Sequence, residues 1–250
     1  MQDAIAFVPT MGALHAGHLE LIRRAGELSS NVVVSIFINP LQFENNADLD
    51  SYPRDLPGDT ARAIAAGATR VWAPTFREIY PDDIVKISAG SVGAIFEGRN
   101  RSGHFDGVLT VISRLFEILK PRYAIFGEKD FQQLFIVKKW VRENGIPVEI
   151  IAVPTSRDSD GLALSSRNIR LSVADRRSAL IINQALRATN KKEMLKILER
   201  EPNFQLDYAE VIDEETFEIA RSDTRSQRGI IAGWVNGVRL IDNMPMRRDQ

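Results

Sequence analysis

A chain of 250 residues with 32 Lys and Arg against 33 Asp and Glu carries a net charge of −1, which removes the electrostatic case for general binding to nucleic acid or to a membrane surface. The absence of cysteine excludes disulfides, thiolate nucleophiles and Cys-ligated zinc or iron–sulfur centres, and fits a reducing cytoplasm. No basic segment leads into a long apolar stretch at the start, and no apolar run is long enough for a bilayer, so neither a signal peptide nor a membrane span is expected.

The first element is an apolar strand, Ile5–Val8, broken by Pro9-Thr10. Met11-Gly12-Ala13-Leu14-His15-Ala16-Gly17-His18 follows, and a helical pattern runs over Leu19–Leu28. A helix start offers unpaired N–H groups and a partial positive charge, which suits a phosphate. Two imidazoles three apart share one face and can donate to the same anion. A pair of plain surface histidines is the bland alternative. A zinc site is a weaker one, because the spacing is three rather than four and the third histidine, His104, is remote in sequence.

Strands are next expected at Val32–Ile38, Val71–Ala73, Tyr123–Phe126 and Val148–Val153, with helices at Leu56–Ala66, Val108–Leu119 and Phe131–Glu143. Short, nearly all-apolar strands alternating with helices predict an α/β fold: a buried, Rossmann-like parallel sheet with helices on both faces. Ligands on such sheets bind outside the carboxyl ends of the strands. Asn39-Pro40-Leu41-Gln42 falls at one such end, where turn chemistry explains Asn39-Pro40 but not Gln42 between apolar neighbours. Gly127-Glu128-Lys129-Asp130 falls at another, with Gln133 in the following turn; Asp130 reads equally as a helix cap or a ligand contact. These ends favour one shared cleft. Glu44–Asp59 is acidic and reads as a loop and a candidate lid. Glu97–Gly107, with Arg101 and His104, is a Gly-rich basic loop that either meets a substrate or is a solvated surface. Asp160–Asn168 contains Ser165-Ser166-Arg167; two hydroxyls and a guanidinium suit a pyrophosphate, a cap being the alternative.

Beyond about Arg170 the pattern changes to helices at Val173–Arg187 and Lys191–Leu198, a strand at Tyr208–Ile212, and Ile230–Val235 and Val238–Ile241 flanking Asn236-Gly237, a two-residue hairpin signal. Residues 1–170 are therefore expected to form one domain and 171–250 a smaller α+β domain able to close over the cleft.

The His-x-Gly-His string resembles the HIGH motif of adenylyl-transferring enzymes, and the serine–serine–arginine loop resembles the KMSKS-type loop that accompanies it. The strings PTMGALHAGH, FINPLQF, SYPRD, GRNRSGHFDGVLTV, GEKDFQQL, DGLALSSRN and RLIDN occur in the order found in pantoate–β-alanine ligases, from Pro9 to Asn243. This resemblance implies a two-step reaction. Pantoate attacks the α-phosphorus of ATP to give pantoyl adenylate and pyrophosphate, and the β-alanine amine then displaces AMP. It implies ATP contacts from Pro9, Thr10, Met11, Gly12, Ala13, Leu14, His15, Ala16, Gly17 and His18, from Gly127, Glu128, Lys129 and Asp130, from Ser156, and from Leu164, Ser165, Ser166 and Arg167. His18, His15 and Lys129 take the catalytic roles. Gln42 and Gln133 hold pantoate and β-alanine, with Asn39, Arg101 and His104 as secondary members. Magnesium is expected on the ATP phosphates rather than in a protein metal site, and a cytoplasmic homodimer is the usual assembly. Family members usually carry a longer helical lead before the first strand, Ser156 stands where an apolar residue is commoner, and Arg221–Arg228 departs from the usual segment. A related nucleotidyltransferase acting on another small acid or a phosphate monoester is the alternative, as is an ATP-binding regulator; a phosphate acceptor would favour extra Arg or Lys where Gln42 and Gln133 stand.

Overall fold

The computed structural model describes residues 4–43, 49–50 and 52–246. Its contacts divide the chain into two units, residues 1–127 with 132–154, and residues 128–131 with 155–250.

The first unit is built on β1 (Ile5–Thr10), β2 (Asn31–Ile36), β3 (Arg70–Trp72), β4 (Tyr123–Gly127) and β5 (Glu149–Val153), all parallel in the order β3-β2-β1-β4-β5. Side chains alternate between the two faces of a strand, so each face of β1 has its own helices. Ala6 and Val8 pack with Val32, Val34 and Ile125 against Ile22 and Ala25 of α1 (Ala16–Leu28) and Ala63 of α2 (Leu56–Ala65). Phe7 points the other way and meets Phe116 of α5 (His104–Leu119) edge-on, with ring centroids 6.4 Å apart. Full burial of Phe7 and Ile22 contributes about 1.5–3 kcal/mol each. This confirms the expected helix-covered parallel sheet. The strand order reverses at β1, so the crevice outside the carboxyl ends of β1 and β4 is the topological switch point where ligands bind in such folds.

The second unit is an antiparallel sheet β6-β7-β8 (Phe204–Asp213, Gln227–Val235, Val238–Pro245), with α7 (Val173–Leu186) and α8 (Lys191–Leu198) packed on it through Ala179, Ile182, Leu186 and Met194. Asn236 and Gly237 both have positive φ, 46° and 77°, and Val235 pairs with Val238: the two-residue hairpin read from the sequence.

Several boundaries differ from expectation. The contact-based units divide at Pro154/Thr155, whereas the sequence pattern changes at about Arg170; Arg157, Asp158 and Asp160 are tied to Asp242 and Arg176 within the second unit. The segment Glu128–Phe131 also belongs there, although it lies between elements of the first unit. In the stretch expected to be a loop over Glu44–Asp59, residues 44–48 and 51 lie outside the described residues, while Leu56–Asp59 form the first turn of α2, capped by Asp55. The stretch between Ala73 and Val108, with no expected element, holds α3 (Phe76–Ile79) and α4 (Glu97–Asn100), one turn each and too short for a periodic signal; α6 (Phe131–Glu143) matches its expected bounds. No helix among the described residues is long and apolar enough to cross a membrane.

Candidate active site

The turn from Met11 to His15, after β1, is strained and held by a buried carboxylate. Gly12 has φ +86°, and Ala13 has φ +52°, a left-handed conformation costly for a residue with a Cβ. Asp59 of α2, 1% exposed, accepts hydrogen bonds from Ala13 N at 2.7 Å and Leu14 N at 2.8 Å, and an ion pair from Arg62 at 2.8 Å. A Cβ on Gly12 would stand 3.0 Å from Asp59 Oδ2, so the glycine admits the carboxylate as well as the turn. Thr10 Oγ1 donates to Ser35 O at 2.6 Å and accepts from Gly12 N at 3.3 Å, anchoring the other end. One signal for Asp59 was available: it shares the inward face of α2 with Ala63, four residues on, where an unpartnered carboxylate would be out of place.

His15 and His18 cap α1 reciprocally. His15 is the N-cap and its Nδ1 accepts from Gly17 N at 3.2 Å; His18 Nδ1 accepts from His15 N at 3.3 Å. This is a capping box in which imidazoles replace the usual hydroxyl and carboxylate. Its chemical consequence is a fixed tautomer. A ring nitrogen that accepts an N–H cannot carry a proton, so each neutral imidazole bears its hydrogen on Nε2 and is a donor there. The rings are 4.1 Å apart. Sequence reading starts this helix at Leu19; it starts at Ala16 because of this cap.

Gln42 ends a short 3₁₀ turn, Pro40–Gln42, after β2. The turn is fixed from below. Asn39 is fully buried; its Nδ2 donates to Gly107 O at 3.1 Å, while its Oδ1 accepts from Leu41 N and from Tyr80 Oη, both at 3.3 Å. Burial pushes the Tyr80 phenol up, so it stays a donor. His104 Nδ1 lies 2.8 Å from Gln42 O, and Arg101 Nη2 is 3.5 Å from the same oxygen. Asn39, expected to touch the small acid, holds the Gln42 turn through its Oδ1 and one of its two amide hydrogens. A Cβ on Gly107 would stand 2.2 Å from Leu41 O, a backbone atom. Where Gln42 holds the small acid that the resemblance implies, Gly107→Ala is expected to displace Gln42 and raise the KM for that acid by about tenfold, the scale of a small misplacement of a binding group; steady-state kinetics with the acid varied checks this, and an unchanged KM would exclude Gln42 from that role. On α6, buried Gln132 accepts from Glu97 N at 3.1 Å and donates to Val92 O and Ile95 O, whereas half-buried Gln133 is turned away from those partners by one residue of helix rotation.

In the second unit, Glu128–Asp130 is a 3₁₀ turn running directly into α6, and Asp130 is its last residue, immediately before the helix. Lys129 is about four-fifths buried, with Nζ 3.6 Å from Asp130 Oδ1. Ser165 is the N-cap of a 3₁₀ turn, Ser166–Arg170, the cap alternative read from the sequence. Ser165 Oγ accepts from Arg167 N at 3.3 Å, which leaves its O–H proton to donate elsewhere. Leu164 N donates to Ser156 O, and Asn168 Nδ2 to Ala163 O. Arg176 grips Asp158 and Asp160 at the loop's start and, chiefly through this hydrogen bond, holds the Asp160 carboxyl below its usual range.

Comparison with known proteins gives one answer over the whole length. The pantoate-beta-alanine ligase family model matches residues 1–245. A pantothenate synthetase of Acidothermus cellulolyticus is 47% identical over 260 aligned residues, covering 98% of this chain and 86% of that protein. The crystal structure of pantothenate synthetase from Thermus thermophilus superposes with a TM-score of 0.90 at 42% identity, covering 96% of this chain and 92% of that one. A Francisella tularensis pantoate-beta-alanine ligase, solved in complex with beta-gamma ATP and beta-alanine, gives 0.83 at 36% identity, with 98% and 90% covered. This chain belongs to the pantoate–β-alanine ligase family.

Proposed function

We propose that this protein condenses pantoate with β-alanine to give pantothenate, using ATP and releasing AMP and pyrophosphate. The observation that carries the residue assignment is the reciprocal cap of His15 and His18 at a helix N-terminus: each Nδ1 accepts a backbone N–H, which leaves Nε2 as the nitrogen that bears hydrogen toward a developing negative charge. A pantoate carboxylate oxygen attacks the α-phosphorus and the bond to pyrophosphate breaks; a carboxyl with an ordinary pKa of about 4 is ionised and needs no base. Catalysis of this step is charge placement, supplied by His15, His18, Lys129, Ser165, Ser166 and Arg167, with the remaining Pro9–Gly17, Gly127–Asp130, Ser156 and Leu164 positions as nucleotide contacts. Gln42 and Gln133 seat the acid, because neutral amides donate to its carboxylate and accept from its hydroxyls. Arg101 and His104 support Gln42 through its carbonyl. In the second step the β-alanine amine attacks the acyl carbonyl of the mixed anhydride and AMP leaves; an amine with a pKa of about 10 must first lose a proton.

Among the described residues no group of three His, Asp or Glu could hold a metal ion. Magnesium, which prefers phosphate and water oxygens, fits as part of the ATP substrate. By the same reading the chain works as a cytoplasmic homodimer on small-molecule substrates, with no nucleic acid or membrane partner. Isotope exchange between radiolabelled pyrophosphate and ATP tests the proposal. Exchange is expected only when pantoate is present and without β-alanine; exchange driven by a nucleotide or phosphate monoester would establish the related nucleotidyltransferase instead.

A further inference from the structure

Two neighbouring residues near the end of the chain, Asp242 and Asn243 of β8, organise the two segments of the second unit to which nucleotide contacts are assigned. They are 5% and 4% exposed, and successive strand residues point to opposite faces. Asp242 takes a bidentate pair from Arg157, Nη1 to Oδ2 at 2.6 Å and Nη2 to Oδ1 at 2.9 Å, and Arg157 also donates to Gly161 O at 3.1 Å. This fixes the start of the loop leading to Ser165.

Asn243 acts on the other segment. Its Nδ2 donates to both Glu128 O at 2.8 Å and Lys129 O at 2.9 Å, while its Oδ1 accepts from Arg228 Nη1 at 2.5 Å. Arg228, itself 4% exposed, reaches Glu128 Oε2 at 3.2 Å and Glu214 Oε1 at 2.5 Å, and its guanidinium lies 4.0 Å over the Phe131 ring. The amide's two N–H groups are thus both spent on consecutive carbonyls of one short turn, and its oxygen is held by a buried cation. Such an arrangement leaves the Lys129 backbone one position and one direction for its side chain.

We infer that Asn243, held by Arg228, is a positioning residue for Lys129: it acts on ATP use through Lys129 and touches no substrate itself. This rests on the reading of Lys129 as a nucleotide-phosphate contact. Asn243→Asp keeps the shape, removes both donors and sets carboxylate oxygens against two carbonyls. The expected result is a rise of about tenfold or more in the KM for ATP, or an equal fall in pyrophosphate exchange, with the KM for pantoate unchanged. The deciding measurement is a double-mutant cycle with Lys129→Ala. If Asn243 acts through Lys129, Asn243→Asp adds little once Lys129 is gone. Full multiplication of the two effects would overturn the inference while leaving Lys129 in its role, and a Lys129→Ala enzyme with normal ATP kinetics would remove that role and the inference together. Should Asn243→Asp not fold, Arg228→Lys, which keeps the charge toward Glu128 and Glu214 but drops the fork that reaches Asn243 Oδ1, is read in the same cycle with the same two outcomes.

Discussion

Turnover of a His18→Ala variant is expected to fall at least about a hundredfold, the scale of losing one preorganised donor to developing charge. Alanine, however, also removes the acceptor for His15 N, which is half of the cap on α1. Cap loss costs about 1 kcal/mol, so a modest destabilisation is expected alongside the kinetic effect. His18→Glu separates the two. Glutamate three residues after an N-cap is an ordinary capping-box residue, so a carboxylate oxygen can take over the bond from His15 N, and the ionised carboxylate has no hydrogen to donate. Circular-dichroism melts should place His18→Glu close to the parent, and stopped-time assays of pantothenate formation should place it at or below His18→Ala. If His18→Glu restored activity, the histidine would be a cap and no more.

Replacing Asp59 is expected to be the most damaging change at a residue with no substrate role. Asp59→Ala leaves the N–H groups of Ala13 and Leu14 without their acceptor in a site of 1% exposure. Each buried donor left unsatisfied costs about 1–3 kcal/mol. A combined loss of about 2–4 kcal/mol corresponds to a melting temperature about 5–15 °C lower for a chain of this size. Asp59→Asn is expected to do nearly as badly, because an amide offers one carbonyl oxygen where the loop presents two N–H groups and would turn its own NH₂ toward one of them. The left-handed Ala13 loses the acceptor for its N–H, so the turn bearing His15 relaxes and kcat/KM for ATP falls with stability. Calorimetry and ATP kinetics on both variants check this; a melting temperature unchanged in Asp59→Ala would mean that the turn carries its own stability.

The elements that depend on local pattern were legible before any coordinates. Strands of the parallel sheet, the helices Phe131–Glu143 and Lys191–Leu198 and the Asn236-Gly237 hairpin all follow from periodicity or turn chemistry confined to a few residues. The short helices between Ala73 and Val108 carried no such period, and the boundary at Pro154 was hidden because it is set by ion pairs of Arg157 and Arg176 with partners far along or outside the local pattern. Asn39 shows the same limit at the site. Its residue type fits a ligand contact, yet Tyr80 and Gly107, remote in sequence, take its amide.

The sequence by itself determined the family and the reaction, because those follow from residue types and from spacings along the backbone: two imidazoles three apart, two glutamines after strands, a serine–serine–arginine run. Only the tertiary structure decided which nitrogen of each imidazole keeps its proton, which carboxylate holds the turn beneath them and which amide steadies Lys129. Those are matters of where buried hydrogen-bonding capacity is satisfied, and a buried donor or acceptor takes whatever partner the fold brings within about 3 Å, at any distance along the chain.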